Sequence, residues 1–371
     1  MSLPDDAVAR LRLIRTDSIG PVTYRQLLAR FGSADAALRA LPDLARRGGR
    51  VLAVASVAVA EAELAALDAI GAAMVFLGTP GYPSLLADLE SAPPVLAARG
   101  DLGLLDRPAV AIVGARNASA AGVRLARQLA ADLAGEDLVV VSGLARGIDA
   151  AAHQGAMAGG TIAVVAGGVD VVYPPENAAL MAEIAERGLV VAEQMPGVEP
   201  QARHFPRRNR IIAGLAAGTL VVEGAPKSGS LITARIAAEA GREVMAVPGS
   251  PLDPRAQGCN LLIREGATLV QSAADVIEAL SAFEQGGGQG STQLGMRFKV
   301  ADSVAWNDAI AADAGDAEHA AVERLLSPTP VAVDEIVRLS GLVSAVVATV
   351  LLDLELMGKV VRHAGGRVAA A

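Results

Sequence analysis

The sequence predicts an α/β protein whose central domain is a doubly wound, mostly parallel sheet. Between residues 74 and 282, short, continuously apolar, valine-rich runs alternate with segments of helical length. Strands that are buried on both faces of a parallel sheet have this pattern, so we expect an extended, Rossmann-like arrangement. Hydrophobic residues make up 52% of the chain and aromatic residues only 2%, so its cores must consist of Ala, Val, Leu and Ile.

Residues 1–73 are predicted to form a domain of short helices. Gly20 and Pro21 make a turn before a helix, and Phe31-Gly32-Ser33 ends that helix and caps the next. This order resembles small domains of the sterile-alpha-motif or helix-hairpin-helix type. Some of these hold DNA phosphates through the turn. Since this turn has no Lys or Arg of its own, we interpret the segment as a helical packing module.

Residues 74–282 are predicted to form the sheet domain. Its six predicted strands are Ala109–Val113, Leu138–Val141, Ile162–Ala166, Leu189–Ala192, Thr219–Val222 and Val244–Val247. The helices predicted between them include Ala120–Leu133, Ala150–Ala158, Ala178–Arg187 and Leu231–Ala240. Ligands of such sheets lie at the carboxyl ends of the strands, so the loops that follow the strands are the places to look for function.

Residues 283–316 are predicted to be a flexible linker, first rich in Gly and Gln and then acidic. Residues 317–371 follow as three helices and a β-hairpin, the order of a winged helix-turn-helix. The third helix, Val343–Met357, contains no Lys or Arg and two acidic residues. A helix that reads DNA needs basic or polar side chains. We therefore expect this helix to contact protein, with Arg362 and Arg367 of the wing as the possible phosphate contacts.

Composition excludes several classes of function. The only cysteine, Cys259, allows no intrachain disulfide, and the four histidines make a zinc site improbable. The acidic N-terminus does not have the pattern of a signal peptide, and charged residues interrupt the long apolar stretch before residue 77. We expect a cytoplasmic protein without membrane contact, metal or cofactor.

A basic run near the middle of the chain carries the most information. Residues 203–210 contain four arginines around Phe205 and no acidic residue, in a protein of formal net charge -8. Arginines can neutralise phosphates, and an aromatic ring can stack on a nucleobase. The run therefore predicts a nucleic-acid site on an otherwise acidic protein.

Three strand-end loops have the small and charged residues of an anion site. Arg116 follows Gly114, Gly143 and Gly147 bracket the loop after the second strand, and Lys227 precedes Ser228-Gly229-Ser230. Neither a dinucleotide fingerprint nor a Walker motif is present, so ATP hydrolysis is not expected.

Asp149 and His153 could suggest acid–base chemistry, but no nucleophile accompanies them. A helix cap and a hydrogen-bonded histidine are the better interpretation.

These loops together resemble one family. The motifs that carry the resemblance are Gly114-Ala115-Arg116, Ser142-Gly143-Leu144-Ala145-Arg146-Gly147-Ile148-Asp149, Tyr173-Pro174, Phe205-Pro206-Arg207-Arg208-Asn209-Arg210-Ile211-Ile212 and Ser228-Gly229-Ser230-Leu231-Ile232-Thr233-Ala234. They occur in the order found in the DNA-processing protein A (Smf) family, across the whole sheet domain. The flanking domains also resemble modules of that family, on weaker motifs.

The resemblance implies a single-stranded-DNA-binding protein that is not an enzyme. Such proteins protect incoming DNA during natural transformation, help to load the RecA recombinase, and form homodimers through the α/β domain. The DNA-binding residues that it implies are Arg116, Ser142, Gly143, Gly147, Phe205, Arg207, Arg208, Asn209, Arg210, Lys227, Ser228, Gly229 and Ser230. The alternatives are a nucleotide-binding module and a phosphoribohydrolase-like enzyme, although the loop P-G-G-x-G-T-x-x-E of the latter is missing.

Overall fold

The computed structural model describes residues 3–47, 52–285, 314–363 and 365–371. The chain divides into two compact units, one formed by Glu63–Gly295 and the other by Ser2–Ala62 together with Met296–Ala371. The helix α4 (Val57–Ala69) crosses the boundary between them.

A nine-stranded sheet forms the centre of the first unit. Its strands are β1 (Ala73–Phe76), β2 (Val95–Gly100), β3 (Ala109–Val113), β4 (Val139–Ser142), β5 (Thr161–Val164), β6 (Leu189–Ala192), β7 (Gly218–Val221), β8 (Glu243–Ala246) and β9 (Thr268–Leu269). The spatial order is β1-β2-β6-β5-β4-β3-β7-β8-β9. Only the pairs β1–β2 and β2–β6 are antiparallel. The predicted fold class is confirmed, and the six predicted strands are present with ends shifted by at most two residues.

Helices cover both faces of this sheet. They are α5 (Ser84–Ala87), α6 (Ala120–Gly135), α7 (Ile148–Ala156), α8 (Ala178–Arg187), α9 (His204–Leu215), α10 (Gly229–Glu239), α11 (Gln257–Arg264) and α12 (Ala273–Gln285). Strand residues alternate between two apolar cores: Ala111 and Val141 lie in one, Val110 and Val140 in the other. Burial on both faces explains why the strands are continuous apolar runs.

The strand order places a crevice beside β3. From β3 the chain proceeds through β4, β5 and β6 on one side, and β7, β8 and β9 lie on the other. Loops that leave β3 and β7 at their carboxyl ends therefore diverge, and an open α/β sheet binds its ligands at such a point. Arg116 follows β3 and Lys227 follows β7, so the topology brings both loops to this crevice.

A buried histidine supports the loop between β4 and α7. The His153 ring is fully buried; Nδ1 lies 2.7 Å from the Thr161 hydroxyl, which itself donates to the Val140 carbonyl. Because that hydroxyl proton is used, Nδ1 must be the protonated nitrogen, and Nε2 accepts the Leu144 amide proton at 3.3 Å. Leu144 has a φ of 54°, a left-handed conformation that a branched side chain rarely adopts. The histidine therefore holds this loop in a strained shape.

The second unit combines both ends of the chain. Its elements are α1 (Ala7–Arg15), α2 (Pro21–Phe31), α3 (Ala34–Arg47), α13 (Asp316–Glu323), α14 (Val333–Ser340) and α15 (Ser344–Leu356), with a sheet of β10 (Val331–Ala332), β11 (Val360–His363) and β12 (Arg367–Ala370). Gly32 ends α2 in the left-handed conformation, and the Ser33 hydroxyl accepts the Ala36 amide proton. The winged helix is therefore present. Of the predicted linker, 286–313 lies outside the described residues, and α12 continues to Gln285.

Among the described helices, no single one is long and apolar enough to cross a bilayer. The one consecutive pair that would suffice together, α14 and α15, is bent by 117°.

We expect the stability of the first unit to depend on pH through His153. Burial, and secondarily the charge of Arg208, lowers the pKa of His153 to about 3. The unfolded chain, with a histidine pKa of about 6.5, therefore binds a proton that the folded protein excludes. This contribution is complete above pH 6.5 and is lost as the pH falls towards 3. Relative to His153→Gln, the wild type should lose up to about 1.4 kcal/mol per pH unit in that window.

Urea unfolding at several pH values between 4 and 8 measures the free energy of unfolding of the wild type and of His153→Gln. In the difference between the two proteins, the contributions of all other titratable groups cancel. Parallel stability profiles for the two proteins would show that His153 is not held neutral.

Candidate nucleic-acid interface

A cleft enclosing about 470 Å³, part of it open to solvent, lies at the carboxyl ends of β3, β4 and β5. Arg116 comes from the loop after β3, Gly143 and Arg146 from the loop after β4, and Val165–Gly167 from the residues after β5. The remaining lining residues are Ala145, Val171, Tyr173, Pro174, Phe205 and Arg208. Apolar walls with arginines at the rim suit a ligand that has both flat faces and negative charge.

Phe205 is the centre of an aromatic platform in this cleft. The Arg116 guanidinium carbon lies 5.4 Å from the Phe205 ring centroid, within range of a cation–π contact. The Tyr173 ring centroid lies 5.6 Å from that of Phe205, with the two planes tilted by 56°. Phe205 lies in the first turn of α9, so the helix fixes the backbone position from which its side chain projects. This platform offers a π surface with a positive charge next to it.

Arg208 supports the cleft from inside the protein. Its Nη1 donates to the Gly143 carbonyl at 2.5 Å and to the Val164 carbonyl at 2.7 Å, joining the ends of β4 and β5 to α9. Asp149 accepts the Gly143 amide proton at 3.1 Å. Burial lowers the pKa of Arg208 to about 10 and raises the pKa of Asp149, while the attraction between the two charges opposes both shifts. At neutral pH the guanidinium is therefore still charged.

Two glycines of the β4–α7 loop are required by close approach. A Cβ atom at position 143 would collide with Nη1 of Arg208, and one at position 147 would collide with the Ala115 carbonyl. Gly147 also has a φ of 75°, where only glycine is unstrained. The loop therefore packs on both Arg208 and the β3 loop through its backbone; the side chains of Ala145 and Arg146 line the cleft, while that of Leu144 is buried.

The loop that precedes α10 continues the basic surface. Lys227 is exposed, and the hydroxyls of Ser228 and Ser230 lie 2.7 Å apart. Asn209 donates from its amide nitrogen to the Gly229 carbonyl at 3.3 Å, so α9 holds this loop directly. The amides of Gly229 and Ser230 lie in the first turn of α10, where the helix dipole favours an anion.

Three predicted site residues have other roles. Ser142 is fully buried and donates its hydroxyl proton to the Ile112 carbonyl at 2.6 Å. Arg208 is 7% exposed and is committed to backbone carbonyls. Arg210 pairs with Glu193 at 2.5 Å and also donates to the Ser91 carbonyl. In this structure the three side chains donate to groups inside the protein, a position in which they shape the site; that they contact DNA directly stays a prediction.

Two residues of the cleft were quoted in motifs but not predicted as contacts. Arg146 lines the cleft, and its side chain is 61% exposed although it pairs with Glu176 at 3.3 Å. Tyr173 lines it too and is 46% exposed, which is unusual in a chain with so few aromatic residues. Scarcity of exposed rings was the signal that could have identified Tyr173.

The acidic residue that follows β7 supports a helix. Glu223 accepts both the amide and the hydroxyl protons of Ser119, at 2.9 and 2.6 Å, and so holds the residue that caps α6. Across the described ranges, no group of three or more His, Cys, Asp or Glu side chains could hold a metal ion.

Comparison with protein families agrees with this architecture. A family model described as DNA recombination-mediator protein A matches residues 73–281. A DprA-like N-terminal helix-hairpin-helix model matches residues 4–66, and a DprA winged helix model matches residues 308–366.

Individual proteins similar to this chain are also DNA processing proteins of the DprA or Smf type. The chain is 48% identical to DNA processing protein DprA of Streptococcus pneumoniae over 53% of this chain and 70% of that protein. It is 44% identical to the Bacillus subtilis DprA, over 58% and 74%, and 37% identical to protein Smf of Synechocystis, over 78% and 77%.

Two solved structures are similar to this protein. The X-ray structure of Streptococcus pneumoniae DprA matches with a TM-score of 0.63 at 37% identity, covering 75% of this chain and 98% of that one. A Helicobacter pylori DprA structure, described as giving insight into a single-stranded DNA binding mode, matches with a TM-score of 0.52 at 29% identity, over 56% and 95%. Since the family model alone spans more than half of its length, this chain belongs to the DNA recombination-mediator protein A family, the DNA-processing proteins known as DprA or Smf.

Proposed function

We propose that this protein binds single-stranded DNA along the carboxyl edge of its nine-stranded sheet. The observation that carries the proposal is the Phe205 platform, flanked by Arg116 and Tyr173 in a cleft at the strand ends. A base that is not paired in a duplex can place its face on such a ring, and the exposed cations beside it can meet the phosphates on either side. The single-stranded DNA named for the Helicobacter pylori relative supports this choice of ligand.

The phosphate contacts in this proposal are the exposed cations at the cleft and beyond it. Arg116 lines the cleft, Arg207 is exposed on α9, and Lys227 lies in the loop that Asn209 attaches to α9. Arg146 joins them as a cation of the rim. The backbone amides of Gly229 and Ser230, at the start of α10, add neutral donors for a phosphate. Together these groups form a track that leads from the β4 loop across the crevice to the β7 loop.

Binding rather than catalysis is part of the proposal. The side chains that line the cleft are arginine, aromatic and apolar, and no Asp, Glu, His, Ser, Thr, Cys or Lys is among these described residues. Those are the side chains that most often transfer protons or act as nucleophiles in enzymes. We further propose, from the family's description as a recombination mediator, that the bound strand is protected and passed to the RecA recombinase in the cytoplasm during natural transformation.

Single strands should bind more tightly than duplexes of equal length and salt, because a duplex hides the faces of its bases. Phe205→Ala should weaken single-strand binding by about 1–3 kcal/mol, the range measured for loss of a base–aromatic stack. Phe205→Tyr keeps the ring and serves as the matched control. Fluorescence anisotropy with labelled oligonucleotides measures the affinity of the wild type and of both variants for single-stranded and duplex DNA. Equal affinity for both DNA forms, or an unchanged affinity in Phe205→Ala, would contradict the stacking role.

The salt dependence of binding should report the phosphate contacts one by one. Each phosphate neutralised on a single strand contributes about 0.7 to the slope of log affinity against log salt. Arg207→Ala and Lys227→Ala should each weaken binding and flatten that slope by about this amount. Arg187→Ala and Arg46→Ala are controls, since these exposed arginines pair with Glu183 and Asp43 and lie outside the cleft. Flattening in the controls alone would place the DNA site elsewhere.

We also propose that the first unit forms a homodimer. Ile232 on α10 and Leu269 on β9 are 42% and 45% exposed. We propose that the dimer contacts lie in the two stretches that contain them, Leu231–Ala240 and Leu261–Leu280. Side chains of this size gain from burial against a second copy. Light scattering at micromolar concentration should show twice the chain mass, and Leu269→Glu should reduce it to one chain. A wild-type protein that remains monomeric would exclude this part of the proposal.

A further inference from the structure

The third helix of the winged helix, α15, is buried along most of its length: between Val347 and Leu356 every residue is buried except Glu355, which is half-buried. Val347, Val350 and Leu354 point into the core of the winged helix itself. On the opposite side, Leu352 and Leu356 belong to the core of the N-terminal helices, together with residues such as Leu27 and Leu41. A DNA-reading helix keeps one face open for the major groove, whereas in this helix Ser344 is the one exposed residue and none is exposed from Val347 onwards.

Polar contacts fix the same face of α15 to the N-terminal helices. Asp353, which is 4% exposed, accepts from Arg30 of α2 at 2.6 Å. The Thr23 hydroxyl donates to Glu355 at 3.1 Å. Arg362 of the wing donates to Glu355 at 2.9 Å and to the Gln26 side chain at 3.1 Å. Except for the Arg362–Glu355 pair, these contacts join residues more than 320 positions apart in the sequence.

The side chains on the side of α15 that carries Leu352 and Leu356 suit contact with the N-terminal helices and do not suit contact with DNA. If α15 left the N-terminal helices, Leu352 and Leu356 would be exposed to water and Asp353 would lose the cation of Arg30, both of which are unfavourable. The helix has no Lys or Arg, and its acids Asp353 and Glu355 would repel phosphates. Arg362 has its Nε and one Nη engaged within the protein, so the wing loses one of its two possible phosphate contacts.

We propose that the N-terminal helices of the same chain are the resident partner of α15. The two ends of the chain then fold as one cooperative domain, and the winged helix does not use its third helix to read DNA. This inference is independent of the single-strand site on the first unit, since it concerns contacts within the second unit alone.

Hydrogen–deuterium exchange on the full-length protein tests the proposal. Leu352→Ala creates a cavity on the shared face, so protection should fall by about tenfold or more both in α15 and in α1–α3. Leu339→Ala, at a side chain on α14 that is 52% exposed, is the matched control and should leave both segments unchanged. Arg30→Gln tests the reverse direction: a change in the N-terminal helices should lower protection in α15. It also covers the case in which Leu352→Ala fails to fold.

Two results would overturn the proposal. In the first, Leu352→Ala lowers protection only within residues 314–371, and Arg30→Gln lowers it only within residues 3–47, so that the two ends are independent domains. In the second, protection of α15 rises with protein concentration, which means that the N-terminal helices of a second copy, not of the same chain, cover it. Coupled losses that do not depend on concentration support the proposal.

Discussion

The candidate site depends on the hydrogen bonds that the buried guanidinium of Arg208 donates to two backbone carbonyls. A charge inside a protein is tolerated only when hydrogen bonds and an opposite charge replace water, and here the Gly143 and Val164 carbonyls and the nearby Asp149 do so. Removing one partner from such an arrangement typically costs about 3–5 kcal/mol. Because Arg208 joins the ends of β4 and β5 to α9, it sets where the β4–α7 loop and the Phe205 ring stand relative to each other.

The arginine cluster therefore divides into supporting and exposed members. Successive residues of a helix point about 100° apart, so Arg207 and Arg208 cannot face the same way, whereas Phe205 and Arg208, three positions apart, share a face. That geometry puts Phe205 at the cleft above a buried Arg208 and leaves Arg207 in solvent. Arg210 pairs with Glu193 instead. The positive charge available to a ligand is thus smaller than the composition of the run indicates, and Arg116, Arg146 and Lys227 from the loops contribute much of it.

Sequence patterns predicted the sheet well because its central strands are buried on both faces, which leaves continuous apolar runs such as Ala109–Val113. They did not show β1 and β2, the antiparallel strands at the edge of the sheet, since β2 ends in Arg99-Gly100 and breaks the apolar run. Nor could they separate Arg208 from Arg207, because burial of Arg208 depends on carbonyls that lie 65 and 44 positions away in the chain. Likewise, His153 was correctly interpreted as a loop-shaping residue, but its partner Thr161 is visible only once β5 is placed beside β4.

The two chain ends illustrate why topology alone does not carry function. Three helices and a hairpin make a winged helix, yet the composition of α15 is that of an interior helix, and the N-terminal core supplies the second surface that it needs. The Gly20–Pro21 turn has no cation of its own, and the third helix of the wing domain is covered. Neither of these two elements offers an exposed cation, while the sheet edge of the first unit has exposed arginines next to an aromatic ring. We therefore expect contact with DNA to concentrate at that edge and α15 to act through contacts with protein.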